Sequence, residues 1–401
     1  MSVTQPEVYY DPYDFEIDSD PYPVWTALRD HQPLYYNERY DFYAISRYDD
    51  VRPAILDWQT YSSAKGTLLE LIKADMEIPP GSIIFDDPPR HNLHRSLLSR
   101  VFTPRKMNAL EPKVREFCAT CLDPLVGSGG FDFIADLGAQ MPMRTIGMLL
   151  GIPEEDQVAL RQHIDASLRL DEGEMPDVAE QFGGGIDGAN EFAEYIAWRE
   201  QHPSDDLMTE LLNAEYEDED GEKRRLTRDE VLNYVNLVAA AGNETTTRLI
   251  GWTAKVLADH PDQRRELAEN RELVPQAIEE LLRFESPSPV QARYVTRDAE
   301  HHGEVVPAGS VLLLLNGAAN RDERKFPDGD TFDIHRKIEQ HLAFGYGVHL
   351  CLGAALARLE GRVALDEVLQ RFPTWDIDWD NAQQARTSTV RGWERMPVFL
   401  P

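Results

Sequence analysis

The 401-residue sequence has few cysteines, relatively few basic residues and no long apolar run near its start. Three cysteines do not make the disulfide framework that holds many small secreted proteins together. Lysine and arginine number 40 against 71 acidic residues, a formal net charge of −31, which disfavours nucleic acid or an anionic membrane as a partner. Residues 1–23 are acidic and aromatic, without the apolar segment of a signal peptide or membrane anchor. We therefore expect a cytoplasmic protein.

Internal repeats and linkers rich in proline, glycine or serine are also missing. The length alone suggests two or three domains, but no stretch of the chain has the composition of a boundary. Hydrophobic residues make up 42% of the sequence, enough for a sizeable core. The sequence predicts one domain over residues 1–401, mainly α with a small β part near residues 34–46, 293–315 and 387–399. Helices are expected at residues 20–30, 49–57, 276–284 and through 104–150, with an apolar loop at 61–85.

One helix is expected to be unusually long. Thr227 and Glu230 have the spacing of a capping box, and the helical pattern continues over residues 231–260. A helix of that length crosses a whole domain. Its middle holds three alanines followed by Gly242, and glycine in a helix costs about 1 kcal/mol relative to alanine, so something is expected to approach closely there. Glu244 and Thr245 follow directly.

The most specific pattern is Phe344-Gly-Tyr-Gly-Val-His-Leu-Cys-Leu-Gly353, which precedes a helix beginning near Ala354. Cys351 therefore lies on a glycine-rich loop where free backbone N–H groups and the helix dipole favour a thiolate. A single cysteine cannot complete a zinc site, whereas a haem iron needs only one protein ligand on its proximal side. The alternative is a buried core cysteine in a tight loop.

This stretch resembles the haem-ligand signature of the cytochrome P-450 haem-thiolate monooxygenases. The run Ala-Gly-Asn-Glu244-Thr245-Thr also resembles the distal-helix motif of that family, and Glu280-Leu-Leu-Arg283 resembles its Glu-x-x-Arg element. The resemblance covers nearly the whole chain in the family's order. It implies the helix-rich cytochrome P-450 fold, haem b as cofactor, and insertion of one oxygen atom of dioxygen into an organic substrate.

The resemblance also implies roles for individual residues. Cys351 is the expected iron ligand, Thr245 and Glu244 are expected to deliver protons, and Glu280 with Arg283 is expected to form a buried structural pair. The alternative for Thr245 is a hydroxyl that bonds back to a carbonyl of its own helix. The alternative for Glu280 and Arg283 is a minor ion pair on the surface. Further residues are expected to contact the haem, several of them basic groups that suit its propionates: His91, Arg95, Arg293, His349, Phe344, Ala241 and Gly353.

The expected substrate pocket is almost entirely apolar, which predicts an apolar substrate such as a lipid, terpenoid or sterol-like molecule. Its expected residues are Leu68, Leu69, Ile83, Ile84, Leu237, Ala240, Ala241, Val290, Thr389 and Val390.

Electrons are expected from a separate ferredoxin and an NAD(P)H-dependent ferredoxin reductase, because no part of the sequence matches a reductase. The stretch from Arg90 to Lys106 contains basic residues and no acid, and with Arg362 it is a candidate ferredoxin surface or an ordinary solvated face. We expect a monomer. A peroxide-driven peroxygenase and a non-catalytic haem sensor remain alternatives. Cys118 and Cys121 share a helix face and are expected to serve packing.

Overall fold

A computed structural model describes residues 8–76, 78, 82–167, 170, 174–176, 189–218, 221–388 and 390–401. The protein is mainly helical with small sheets, as predicted. Its α-helices are α1 Phe15–Ser19, α2 Tyr22–His31, α3 Tyr48–Leu56, α4 Leu69–Ala74, α5 Arg90–Ser99, α6 Pro104–Asn108, α7 Glu111–Leu122, α8 Met141–Leu150, α9 Gln157–Ser167, α10 Ala189–Gln201, α11 Leu207–Asn213, α12 Arg228–Asp259, α13 Pro261–Glu269, α14 Val274–Phe284, α15 Asn316–Asn320 and α16 Ala354–Arg371.

The strands are short. They are β1 Leu34–Asn37, β2 Phe42–Ile45, β3 Tyr61–Ser62, β4 Gly130–Asp132, β5 Glu215–Glu217, β6 Lys223–Arg225, β7 Gln291–Val295, β8 Ala299–His301, β9 Glu304–Val306, β10 Val311–Leu314, β11 Asp376–Ile377, β12 Gln383–Gln384, β13 Trp393–Arg395 and β14 Pro397–Phe399. Single helical turns or bulges occur at Ile83–Phe85, Asp123–Leu125, Phe133–Gly138, Arg271–Leu273 and Gly347–His349.

The largest sheet joins two of the predicted β segments, with strand order β1-β2-β10-β7-β3. β10 runs parallel to β2 and antiparallel to β7, so that Leu312 is paired with Tyr43 on one side and Arg293 on the other. Successive side chains of β10 enter different apolar clusters, Leu313 one and Leu312 the other, because strand side chains alternate between faces. The sheet is therefore covered on both faces.

Helix α12 confirms the predicted capping box. The Thr227 hydroxyl accepts from the Glu230 N–H, and the Glu230 carboxylate accepts from the Thr227 N–H at 2.8 Å. The helix runs for 32 residues through the largest apolar cluster and contacts α8, α10 and α16. Within the described ranges, neither this helix nor any other is both long and apolar enough to cross a lipid bilayer.

Two predicted segments are wrong in detail. The expected helical stretch 104–150 contains β4, which pairs with β14 near the end of the chain, so local periodicity could not reveal it. The expected loop 61–85 contains β3 and α4, a short helix with a mainly buried face. The hairpin at 34–46 and the helices at 20–30, 49–57 and 276–284 are confirmed, with ends shifted by one or two residues.

Glu280 and Arg283 form a bidentate ion pair on α14, with N–O distances of 2.7 and 2.8 Å, and neither side chain is exposed to solvent. The Arg283 guanidinium also donates to the carbonyls of Asn320 and Gly329, both at 2.8 Å. Arg336 donates to the same carboxylate at 3.2 Å. The pair therefore fastens α14 to the segment that leads towards the cysteine loop.

Glu280→Ala should destabilise the protein by about 3–5 kcal/mol, because it leaves two buried guanidinium groups without their acid. Urea unfolding and the yield of soluble protein measure the effect. Glu116→Ala is a matched control, since Glu116 forms an exposed pair with Lys113 at the same i,i+3 spacing and should change stability by less than about 1 kcal/mol. Equal stability of the two variants would contradict a structural role for the buried pair.

Candidate active site

The loop that carries Cys351 is shaped by glycine. Gly345 and Gly347 adopt φ of +65° and +68°, a region that side chains disfavour, and a Cβ on Gly347 would lie 3.0 Å from Leu56. The Cys351 N–H donates to the carbonyl of Phe344 at 2.8 Å and closes the loop. Helix α16 begins three residues after the cysteine, with Gly353 as its N-cap. The loop therefore presents the sulfur at a helix N-terminus, as predicted.

The Cys351 sulfur is surrounded by protein, yet the residue retains accessible surface, as a side chain that faces an internal space does. Burial raises the pKa of the thiol, while the N–H groups of Gly353 and Ala354 and the charges of Arg95 and Arg358 lower it. The expected preference for thiolate is thus opposed by burial. A metal ion bound to the sulfur would restore it, because a coordinating thiol loses its proton.

A metal here would have to bring most of its own ligands. Within the residues that the structure describes, no group of three or more His, Cys, Asp and Glu side chains is arranged to hold an ion. One cysteine facing an internal space suits an iron that is already held by a macrocycle.

Four basic side chains gather near the loop: His91, Arg95, Arg293 and His349. The two histidine rings lie 4.3 Å apart between centroids, and the Nε2 atom of each is buried without a hydrogen-bond partner in the described structure. Arg293 donates to the carbonyl of Ala292 at 2.7 Å, and Arg95 donates to the carbonyl of Leu350. Across the described part of the chain, none of the four pairs with a carboxylate.

The pKa values reflect that uncompensated burial. Burial lowers the pKa of Arg293 to about 10 despite the charge of Asp87. Burial, followed by the charges of Arg293, His91 and Arg95, lowers the pKa of His349 to about 3. Arginines and histidine N–H groups that lack an acid can be satisfied by an anion from outside the protein, and the two carboxylates of a haem fit that requirement.

The small-residue window of α12 lies beside another helix. A Cβ on Gly242 would lie 2.5 Å from Ile146 of α8, so the close approach expected at this glycine is made by protein. Ala241 is exposed, although Ala239 and Asn243 on the same helix are buried. An exposed residue in the middle of a buried helix indicates that Ala241, like Cys351, faces an internal space.

Glu244 and Thr245 each make a hydrogen bond within α12. The Thr245 hydroxyl donates to the carbonyl of Ala241 at 2.8 Å, which is the back-bonded arrangement given above as the alternative. Glu244 is buried and accepts from Arg248 at 2.6 Å. Arg248 in turn donates to the carbonyl of Trp393, also at 2.6 Å. Sequence reasoning missed Arg248, although its i,i+4 spacing from Glu244 is a visible signal.

A second residue that the sequence analysis missed, Glu360, links α16 to α12. Glu360 is buried and accepts a hydrogen bond from Thr246, the residue after Thr245, at 3.3 Å. Burial raises the pKa of Glu360 to about 8, so the carboxyl is largely protonated at neutral pH. The helix that begins beside Cys351 is therefore tied to the middle of α12 by a neutral polar contact.

The structure gathers part of the predicted substrate pocket. Leu68, Leu69, Val290 and Val390 line one cavity. Ile83 is buried, Ile84 is 39% exposed, and Leu237 and Ala240 pack against the main core from α12; these four do not line that cavity. Thr389 lies outside the described residues. The cavity is also less apolar than predicted, since its lining includes Asp11, Tyr13, Asp18, Glu70 and Arg391.

Comparison with known proteins gives consistent matches. The family model for cytochrome P450 matches residues 186–388. A putative cytochrome P450 123 of Mycobacterium tuberculosis is 37% identical in sequence, and the match covers 100% of this chain and 99% of that protein. The vitamin D(3) 25-hydroxylase of Pseudonocardia autotrophica is 36% identical, over 95% of this chain and 94% of its own.

Among solved structures, CYP109E1 of Bacillus megaterium in complex with testosterone superposes with a TM-score of 0.86 at 29% identity, covering 96% of this chain and 99% of that one. With matches of this extent to a chain that has the fold and the cysteine loop described above, the protein belongs to the cytochrome P450 family of haem-containing monooxygenases.

Proposed function

We propose that this monooxygenase inserts one oxygen atom of dioxygen into a C–H or C=C bond of a largely apolar substrate, using electrons from a separate ferredoxin and its NAD(P)H-dependent reductase. The observation that carries the proposal is the cysteine at a helix N-terminus close to four basic side chains, two of them buried, that have no acid as partner among the described residues. The haem b of the family supplies the activation of dioxygen. The residues of this chain hold the haem, position the substrate and move protons.

In the proposed arrangement, Cys351 holds the iron through its sulfur. His91, Arg95, Arg293 and His349 would bind the propionates, which would give the buried Nε2 atoms of the two histidines the partner that they lack and the two arginines an acid. The backbone N–H groups of Gly353 and Ala354 help to keep the sulfur anionic. Three further residues would contact the haem without an ionic interaction: Ala241, Phe344 and Gly353.

Reduced protein under carbon monoxide should show the red-shifted Soret band of a thiolate ligand. Cys351→His should move that band to the position found with a nitrogen ligand, because the sulfur is removed. Cys118→Ser is the matched control: Cys118 is a buried cysteine of α7 and should leave the band in place. An unchanged band in Cys351→His would place the thiolate elsewhere.

Thr245 and Glu244 are the proposed proton-delivery groups. A hydroxyl can accept and donate at the same time, which suits a relay. Arg248 holds one oxygen of the Glu244 carboxylate at 2.6 Å, so the position of this acid depends on Arg248. The alcohol leaves the carbonyl of Ala241 when it bonds to another group.

Thr245→Ala should slow proton delivery about a hundredfold and divert reducing equivalents to hydrogen peroxide. Product and peroxide formed per NAD(P)H measure the effect, and Thr245→Ser should restore much of the coupling. Thr253→Ala is the control, because Thr253 lies on the same helix with the same back-bond, to Leu249 at 2.8 Å. Coupling that is equal in Thr245→Ala and Thr253→Ala would deny Thr245 this role.

The proposed ferredoxin surface is smaller than the sequence suggested. Arg100, Arg105 and Lys106, which we call the basic patch, are exposed and form no ion pair with any described residue. Arg362 pairs with Glu111 and Arg358 pairs with Glu279, so both are already partly neutralised. Helix α6, which carries two members of the patch, packs on α16, the helix that begins beside Cys351. This contact supports a basic patch on the same side of the protein as helix α16.

Reversing Arg100 and Arg105 to Glu should lower the rate of ferredoxin-driven turnover about tenfold at low salt, because an acidic partner loses its attractive field. The wild-type rate should fall as the Debye length shrinks from about 10 Å at 0.1 M salt to about 3 Å at 1 M. A double reversal of Arg225 and Arg265, exposed residues elsewhere, changes the net charge equally and should have little effect. Equal rates for the two double variants would show that ferredoxin docks on another surface.

The substrate class is proposed from the cavity and supported by the relatives. Leu68, Leu69, Val290 and Val390 give the cavity an apolar part. A vitamin D(3) 25-hydroxylase and a structure with testosterone are among the matches, which favours a lipid, sterol-like or terpenoid skeleton. Product formation with NAD(P)H and the redox partners, compared with peroxide alone, separates the monooxygenase from the peroxygenase, and a haem sensor forms no product with either. A single domain, a monomeric state and a cytoplasmic location stay predictions.

A further inference from the structure

The cavity that contains Leu68 and Val290 has a second, acidic part formed by the N-terminal region and α4. Asp11, Tyr13, Asp18 and Glu70 line it, together with Arg391 from the C-terminal segment. The cavity volume is about 60 Å³. Because about 10–15 Å³ of such volume holds one water molecule, there is room for a polar head group of a few heavy atoms.

Three of these charged groups are already satisfied by the protein. Asp11 accepts from the N–H of Tyr13 at 2.8 Å and from the hydroxyl of Tyr9 at 3.0 Å. Asp18 pairs with Arg386 at 2.8 Å. Arg391 pairs with Glu285 at 3.0 Å. None of the three needs a ligand.

Glu70 differs from them. Glu70 is only 3% exposed, and one of its carboxylate oxygens accepts a hydrogen bond from the hydroxyl of Tyr13 at 2.9 Å. The other oxygen, Oε1, is buried and has no hydrogen-bond partner in the described structure. No described lysine, arginine or histidine forms an ion pair with Glu70. A buried carboxylate oxygen without a partner is unfavourable, so it is a group that a ligand can satisfy.

Tyr13 keeps the carboxylate in place. Burial and the neighbouring Glu70 raise the pKa of Tyr13, so its hydroxyl stays protonated and donates.

The cavity is also placed away from the proposed haem site. Ala292 of β7 lines it, whereas Arg293, the next residue, belongs to the basic cluster near Cys351. Adjacent strand residues point to opposite faces of a sheet. A head group held by Glu70 would therefore lie on the opposite face of β7 from Arg293.

We propose that Glu70, held by Tyr13, binds a protonated amine of the substrate, so that this enzyme acts on apolar molecules that carry a basic nitrogen. The inference rests on the proposed function and names the substrate class more closely. It also predicts discrimination against fatty acids, because a carboxylate head group would meet the Glu70 carboxylate in the same cavity.

The test compares three probes with the same chain: N,N-dimethyldodecylamine, dodecan-1-ol and dodecanoate, each below its micelle concentration. Equilibrium dialysis against the haem-loaded enzyme gives the dissociation constants, and the direction of the Soret shift reports whether the amine nitrogen has reached the iron. The wild-type enzyme should bind the amine about tenfold or more tightly than the alcohol, as expected for a hydrogen bond to a charged group, and dodecanoate most weakly.

Glu70→Gln should reduce the amine-to-alcohol preference about tenfold, because the charge is removed while the shape is kept. Glu38→Gln, an exposed acid on the β1–β2 turn, changes the net charge equally and should keep the preference. The carbon monoxide spectrum checks that each variant is folded and haem-loaded. Absence of a preference for the amine in the wild type, including failure to bind it, overturns the inference, as does a red shift from nitrogen on the iron. A wild type without the thiolate spectrum overturns the proposed function instead.

Discussion

The centre of this protein holds a group of basic side chains that no described acid of the protein pairs with. His91, Arg293 and His349 are deeply placed with Arg95 beside them, and burial depresses the pKa of each of these four side chains. Removing a cation from water is unfavourable unless an opposite charge takes the place of the lost hydration. The chain tolerates the arrangement because the family binds a dianionic cofactor. Cofactor binding and native stability are therefore coupled, and the protein without haem is the strained form.

Two sets of contacts hold the backbone around these basic side chains in place. The Glu280–Arg283 pair is fully buried, and its remaining donors hold carbonyls of the segment that precedes the cysteine loop. Helix α12 is fixed at its start by the Thr227 capping box and at its centre by Ile146, which fills the gap that Gly242 leaves. Both sets of contacts position the backbone of the elements that carry the candidate site residues.

The parts of this structure that local chemistry dictates were predictable from the sequence. The capping box, the 34–46 hairpin and the glycine-rich loop before α16 depend on residues a few positions apart. β4 was not predictable, because its partner β14 lies more than two hundred residues away. The same contrast between local and long-range features holds for the candidate site. Cys351 and its loop were evident, whereas the acidic part of the cavity was not, since Glu70 and Tyr13 meet only through tertiary folding.

Both ends of the chain contribute to one cavity. Tyr10 and Tyr13 come from the first described residues, and Val390 and Arg391 come from the last dozen, so the two termini face each other across the same space. A molecule bound in this cavity contacts both end segments of the described chain and links them to each other. Because a ligand stabilises the state that binds it, tighter binding of that molecule raises the free energy needed to detach either terminus. If that molecule is the substrate, its binding also opposes fraying at both ends of the described chain.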